Sequence, residues 1–317
     1  MSELAILGSV NLDIVMRVTA LPRPGETISA HSVEQFLGGK GANQAVSAAR
    51  SGADLTFHAC VGEGADGAWL VSELQVHSVP TEHVSIVPGA ASGRAYVCVD
   101  EAGENHVIVA AGANARLEID KPDRGPVRIV LAQLETPIET TRAFFQSHIE
   151  SGARTVLNAA PAVQAAGETL FPLVDILVVN ESELAFYTGI ETLPEDIEEI
   201  TRLARTLLCR KDQVIVVTCG AAGALAISQT RLDVTPARRT RARDTTGSGD
   251  CFCGALCARL AMGDTLADAM AATVAERPLL LVVEGTAPEE LVALCAAAGA
   301  HLLALRSDAP APGLELT

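Results

Sequence analysis

Short apolar runs punctuated by Gly, Asn or Asp recur along the 317-residue chain. They are LAILGSVN (4–11), VRIVLAQLE (127–135), ARTVLNAAP (153–161), VDILVVNESE (174–183) and DQVIVVTCGAAG (212–223). Each is too short for a typical helix and most are rich in Val and Ile, so each reads as a strand buried on both faces. Between them lie helical stretches: GANQAVSAARSG (41–52), TPIETTRAFFQSHIESG (136–152) and LPEDIEEITRLARTLLCRK (193–211). In the last, Ile197, Ile200, Leu203, Ala204 and Leu207 mark one apolar stripe at three- and four-residue spacing. Strand and helix in alternation predict an α/β fold, a doubly wound and mainly parallel sheet flanked by helices.

Two stretches break that rhythm. Residues 14–37 and 92–110 alternate apolar and polar positions around turn signals at PRPGE and DEAGEN. They predict antiparallel strands with one exposed face, a small β lid inserted into the larger domain. In doubly wound sheets ligands sit beyond the carboxyl ends of the strands, where such a lid can close over them. No repeat and no linker divides the chain, so residues 1–317 are expected to form a single domain.

Composition narrows the partners. Hydrophobic residues make up 49% and charged residues 20%, which excludes a disordered chain. The surface scaling laws bury about three quarters of the unfolded surface, so a core needs neither metal nor disulfide. A net charge of −16 argues against nucleic acid, which needs a cationic face. The eight cysteines include no CxxC pair, and buried free thiols in a reducing compartment are the expectation. Cys251, Cys253 and Cys257 resemble a metal cluster only by spacing, because positions 251 and 253 of a helix face different ways. The N-terminus lacks the basic region and apolar core of a signal peptide, and no apolar run reaches 18 residues. A cytoplasmic chain with no membrane contact is expected.

The sharpest chemical signal is DTTGSGDCFCGAL at 244–256. Gly247, Ser248 and Gly249 precede Asp250 at the start of an apolar helix, where successive N–H groups and the helix dipole favour an anion. Asp250 is either a helix-capping residue or a base that takes a hydroxyl proton while those amides hold a moving phosphoryl group. GGKGANQAVSAARSG at 38–52 is neither a Walker A loop nor GxGxxG. It is either a glycine turn entering a packed helix or a ligand loop, with Gly39 and Gly41 admitting close approach and Asn43 facing vicinal hydroxyls. Asn11 and Asp13 in GSVNLDIV share one face of an extended chain, so both can reach one polyol, or else they cap a turn. Glu183 in NESE suits either a capping segment or magnesium held through water. Glu135, Thr218 and Gly220 also lie at strand ends on the binding edge, where ordinary loop polarity is the plainer account.

Taken together, GSVNLDIV, LPRPGET, GGKGANQAVSAAR, QLETP, NAAPA, NESE, VTCGAAG and DTTGSGDCFCGAL resemble the ribokinase branch of the PfkB-type carbohydrate kinases, in that family's order from about residue 4 to about 265. The resemblance implies ATP-dependent phosphorylation of a sugar hydroxyl, with D-ribose going to ribose 5-phosphate. It implies Asp250 as base with an anion hole at Gly247, Ser248 and Gly249. It implies sugar contacts at Asn11, Asp13, Gly39, Lys40, Asn43 and Glu135, and nucleotide contacts at Asn180, Thr218 and Gly220. Glu183 corresponds to the acidic residue linked to Mg²⁺, and Asp244 and Thr246 to part of a monovalent-cation (K⁺) site. The lid would also form a homodimer contact.

Residues 270–317 depart from the pattern. Glu276, Arg277 and Pro278 fall where the resemblance implies a small-residue helix lining the adenine pocket, and Pro costs about 3 kcal/mol in a helix interior. Two alternatives follow: a sugar-binding sensor without turnover, and a related kinase acting on another sugar or nucleoside.

Overall fold

The computed structural model describes residues 3–119, 127–237 and 247–275, together with the backbone of two short strands at 282–283 and 304–305. The N-terminal part holds β1 (Leu4–Leu7), β2 (Asn11–Arg17), β3 (Ser32–Gly38), α1 (Lys40–Arg50) and β4 (Leu55–Gly62). There follow α2 (Ala65–Val76), β5 (Val84–Val87), β6 (Gly93–Val99), β7 (Asn105–Ala110), β8 (Ile129–Ala132) and α3 (Ile138–Ile149). Next come β9 (Arg154–Asn158), α4 (Gln164–Thr169), β10 (Ile176–Asn180), α5 (Glu181–Thr188), α6 (Ile197–Arg205) and β11 (Val214–Thr218). The C-terminal elements are β12 (Ala224–Ile227), β13 (Leu232–Thr235), α7 (Ser248–Ala261), α8 (Leu266–Ala275) and the pair β14 (Val282–Val283) and β15 (Ala304–Leu305).

Nine strands form one sheet in the order β13-β12-β11-β10-β9-β8-β1-β4-β5. The seven from β11 to β5 are parallel, and β12 and β13 close one edge antiparallel. All five apolar runs become strands of the parallel part, and the predicted fold class holds. In β1 the side chains alternate between two cores: Leu4 and Ile6 pack with α1 and α7 residues such as Ala45 and Leu256. Ala5 and Leu7 pack on the other face with Phe144, Phe145 and Ile200. Both faces are therefore covered, which is why these strands read as continuous hydrophobic runs.

The order reverses at β1, whose neighbours are β4 and β8. The crevice beyond the carboxyl ends of β1 and β8 is the binding edge of such a sheet. Residues 8–11 and 133–135 occupy it.

The lid is a four-stranded sheet in the order β3-β2-β6-β7. Its outer pairs, β2 with β3 and β6 with β7, are antiparallel as expected. The central pair, β2 with β6, runs parallel, a seam that alternation alone does not show because period two is the same in either direction. The helix expected over 193–211 is shorter, and Ile197 at its start is 44% exposed, so the apolar stripe begins at Ile200. Cys60, Cys251, Cys253 and Cys257 are buried, whereas Cys209 is exposed. Among the described residues no helix is long and apolar enough to cross a membrane. Asp244, Thr246 and nearly all of the C-terminal departure lie outside the described residues.

Candidate active site

Helix α1 is drawn against the end of β1 by the absence of a side chain at Gly41. A Cβ there would lie 2.4–2.6 Å from backbone atoms of Gly8 and Ser9. Gly39, at φ 90°, turns the chain into the helix in a conformation that disfavours other residues. Opposite, Gly247 at φ 72° plays the same part at the start of α7. The two helices touch closely: Ser47 Oγ donates to the Cys251 carbonyl at 2.7 Å, and Gly254 leaves no room for a Cβ beside the Gln44 carbonyl.

That packing places Asp250, 6% exposed, against the second turn of α1. Asn43 Nδ2 donates to its Oδ2 at 3.2 Å and Gln44 Nε2 to its Oδ1 at 2.9 Å. Burial pushes the Asp250 carboxyl up. The Lys40 charge and the Gln44 and Asn43 donors pull it down, Glu135 adds to the rise, and the net direction is upward. A carboxyl displaced in this direction is better matched to general-base chemistry near neutral pH.

An open cleft of about 160 Å³ lies in front of it. Its lining includes Gly247, Ser248, Gly249 and Asp250 from the start of α7, Asn180, Glu183 and Thr218 from the ends of β10 and β11 and the start of α5, and Lys40 from α1. Thus eight of the predicted site residues share one cavity. Burial works against the Lys40 ammonium, but the charges of Asp250, Glu135 and Glu183 outweigh it and raise its pKa, so it stays a cation. Glu183 is also a capping residue: it forms a reciprocal capping box with Asn180, each backbone N–H meeting the other side chain at 2.8 Å. Burial nonetheless raises its pKa, which a cation in the cleft would relieve. Gly220 lies apart, exposed in a single turn after β11.

Three further predicted residues, Glu135, Asn11 and Asp13, do not line the cleft. Glu135 Oε2 accepts from Ser9 Oγ at 2.5 Å and from the Lys40 backbone N–H at 3.0 Å. Asn11 is buried, and its Oδ1 accepts from Asn114 Nδ2 at 2.8 Å, which turns its own NH₂ group outward as a donor. Asp13 has a buried Oδ1 with no hydrogen-bond partner. Burial, then repulsion from Glu135 and Asp250, push its carboxyl up to about 7. Gly38 is needed beside it, since a Cβ there would fall about 2.1 Å from the carboxylate. An orphaned buried acceptor can take a hydrogen bond from a hydroxyl group.

Four polar residues absent from the sequence-based set complete the framework: Ser9, Gln44, Asn114 and Asn158. Gln44 and Asn158 stand inside motifs already singled out, GGKGANQ and NAAP, and Ser9 stands in GSVN. Membership of those motifs was the one signal available for these three, and Asn114 lies in none of them.

Comparison with known proteins places this geometry. The pfkB family carbohydrate kinase profile matches residues 1–275. A ribokinase of Haemophilus influenzae is 32% identical over 256 residues, 79% of this chain and 83% of that protein. The bifunctional ribokinase/ribose-5-phosphate isomerase A of Fructilactobacillus sanfranciscensis is 34% identical over 82% of this chain, which spans about half (49%) of that longer protein. Among solved structures, Arabidopsis thaliana ribokinase complexed with ribose and ATP superposes with a TM-score of 0.79 at 28% identity, covering 90% of this chain and 94% of that one. With a match across most of its length, the chain belongs to the pfkB family of carbohydrate kinases.

Proposed function

We propose that this protein transfers the γ-phosphoryl group of ATP to a hydroxyl of D-ribose, giving ribose 5-phosphate. The observation that carries the proposal is the pairing of a buried carboxylate, Asp250, with the glycine-rich start of α7 in one cleft. Asp250 accepts the proton of the attacking hydroxyl. The amides of residues 247–250 hold the charge that spreads over the moving phosphoryl group, and Lys40 adds a fixed positive charge. Asn11, Asp13, Gly39, Lys40, Asn43 and Glu135 form the sugar side; the orphaned Asp13 oxygen accepts a sugar O–H and the free Asn11 amide donates. Asn180, Thr218 and Gly220 take the nucleotide side.

Among the described residues there is no group of three or more His, Cys, Asp or Glu side chains able to hold a metal ion. A lone carboxylate at Glu183 fits Mg²⁺ held through water and by the nucleotide phosphates rather than by a protein cage. Bound there, Mg²⁺ would neutralise phosphate charge. A K⁺ site at Asp244 and Thr246 and a homodimer through the lid are part of the proposal on family resemblance alone, and a cytoplasmic location and a single domain spanning the chain are part of it on the sequence reading.

An ADP-release assay over a panel of ribose, 2-deoxyribose, fructose 6-phosphate and adenosine, with and without K⁺, tests the assignment. Ribose should give the highest kcat/KM. Ribose binding in a calorimeter without ADP release would instead indicate a sensor, the reading that the family match ending at residue 275 keeps alive.

A further inference from the structure

The Gln44 side chain is fully buried, and each of its polar atoms is committed. Its Nε2 donates to Asp250 Oδ1 at 2.9 Å and to Asn158 Oδ1 at 3.0 Å, while its Oε1 accepts from Gln133 Nε2 at 2.6 Å. Rotating the amide by half a turn would set its oxygen against two acceptors and its NH₂ against a donor. Three partners therefore fix which end faces Asp250. Gln133 and Asn158 come from the carboxyl ends of β8 and β9 and Asp250 from the head of α7, so the amide ties the parallel sheet to that helix. The two oxygens of Asp250 are thereby unlike: Oδ1 is held in the buried amide cluster, whereas Oδ2 meets only Asn43 on the partly open side.

We infer that Gln44, locked by Gln133 and Asn158, is the positioning residue of the base: it anchors Asp250 Oδ1 and so leaves Oδ2 as the oxygen that takes the proton. This rests on Asp250 acting as the base. Gln44 touches neither sugar nor nucleotide and works through the carboxylate alone. Its N–H also favours the ionised acid against burial, so loss of this donor moves the acid's titration toward higher pH.

The test is the pH dependence of kcat in Gln44→Met, which keeps length and burial but removes the donor. The acidic limb should move up by about one pH unit and kcat at pH 7 fall roughly 10- to 100-fold, while sugar KM stays within about threefold. Adding Gln44→Met to Asp250→Asn should cost less than a further twofold, because the residue it serves is already gone. Gln133→Met, which frees the amide to rotate without touching Asp250, should move the same limb in the same direction by less, and it stands in should Gln44→Met fail to fold. An unmoved acidic limb in both variants, with Asp250→Asn inactive, overturns the positioning role and leaves the base intact. Full turnover in Asp250→Asn overturns the base and this inference together.

Discussion

The molecule treats two of its carboxylates differently. At the edge of the main sheet, Asp250 is held by two side-chain donors in a closely packed junction of helices. On the lid, Asp13 has one oxygen without any partner, and its sheet ends in a strand exposed along its whole length. A group that must perform the same proton transfer at every turnover benefits from being over-determined before substrate arrives. A group that recognises a polyol must instead keep an acceptor unsatisfied until a hydroxyl supplies the missing hydrogen bond. On the function proposed above, the contrast separates chemistry from recognition.

The largest effect falls on the satisfied acid. Asp250→Asn should lower kcat by roughly two to four powers of ten while sugar affinity, measured by calorimetry, changes little. Comparable turnover would dissolve the contrast, since Asp250 would then be a buried cap and no more.

The next is larger in stability than in rate. Asp13 has a folded-state pKa of about 7, above its ordinary 3.8. The stability it contributes is thus complete below about pH 4 and is lost as pH rises towards 7. Asp13→Asn removes that loss. Urea unfolding should show the variant more stable by about 2–4 kcal/mol at pH 8 and equal at pH 4, with ribose affinity reduced roughly 10- to 100-fold. An equal gain at both pH values would mean that charge burial is not the cause.

The smallest concerns the lid's outer strand, where Val107, Ile108 and Val109 are 52%, 70% and 53% exposed. Ile108→Lys should alter unfolding free energy by no more than about 0.5 kcal/mol. If the lid pairs two copies, sedimentation should nevertheless shift the variant to monomer; an unchanged sedimentation coefficient would place any partner elsewhere.

The parallel core was legible because burial on both faces writes itself as unbroken runs of Val, Ile and Leu. LTFHACVG, which forms β4, mixes in Thr and a buried His58 and gives no such run. The antiparallel edge of β12 and β13 was not legible in the sequence, since ALAI and LDVT are only four residues each. At the site, motifs carried the residues that meet ligand, since glycines and carboxylates cluster locally in the chain. The supporting amides were not legible, because their partners are remote: Gln44 and Asp250 are 206 positions apart, and Asn114 reaches Asn11 across 103. Only the packed fold brings such pairs within hydrogen-bond reach.

The parallel seam at the centre of the lid has a mechanical result. Asn11 opens β2 opposite Gly38 at the end of β3 and opposite Gly93 at the start of β6, and Arg94 faces Ala110 at the end of β7. All four strands are thus rooted along one line, like a flap fixed at a single margin. At about 3.3 Å per residue, Asp13 lies roughly 7 Å from that axis and Arg17 roughly 20 Å. A swing about that line would therefore carry the tip about three times as far as the acid near the root.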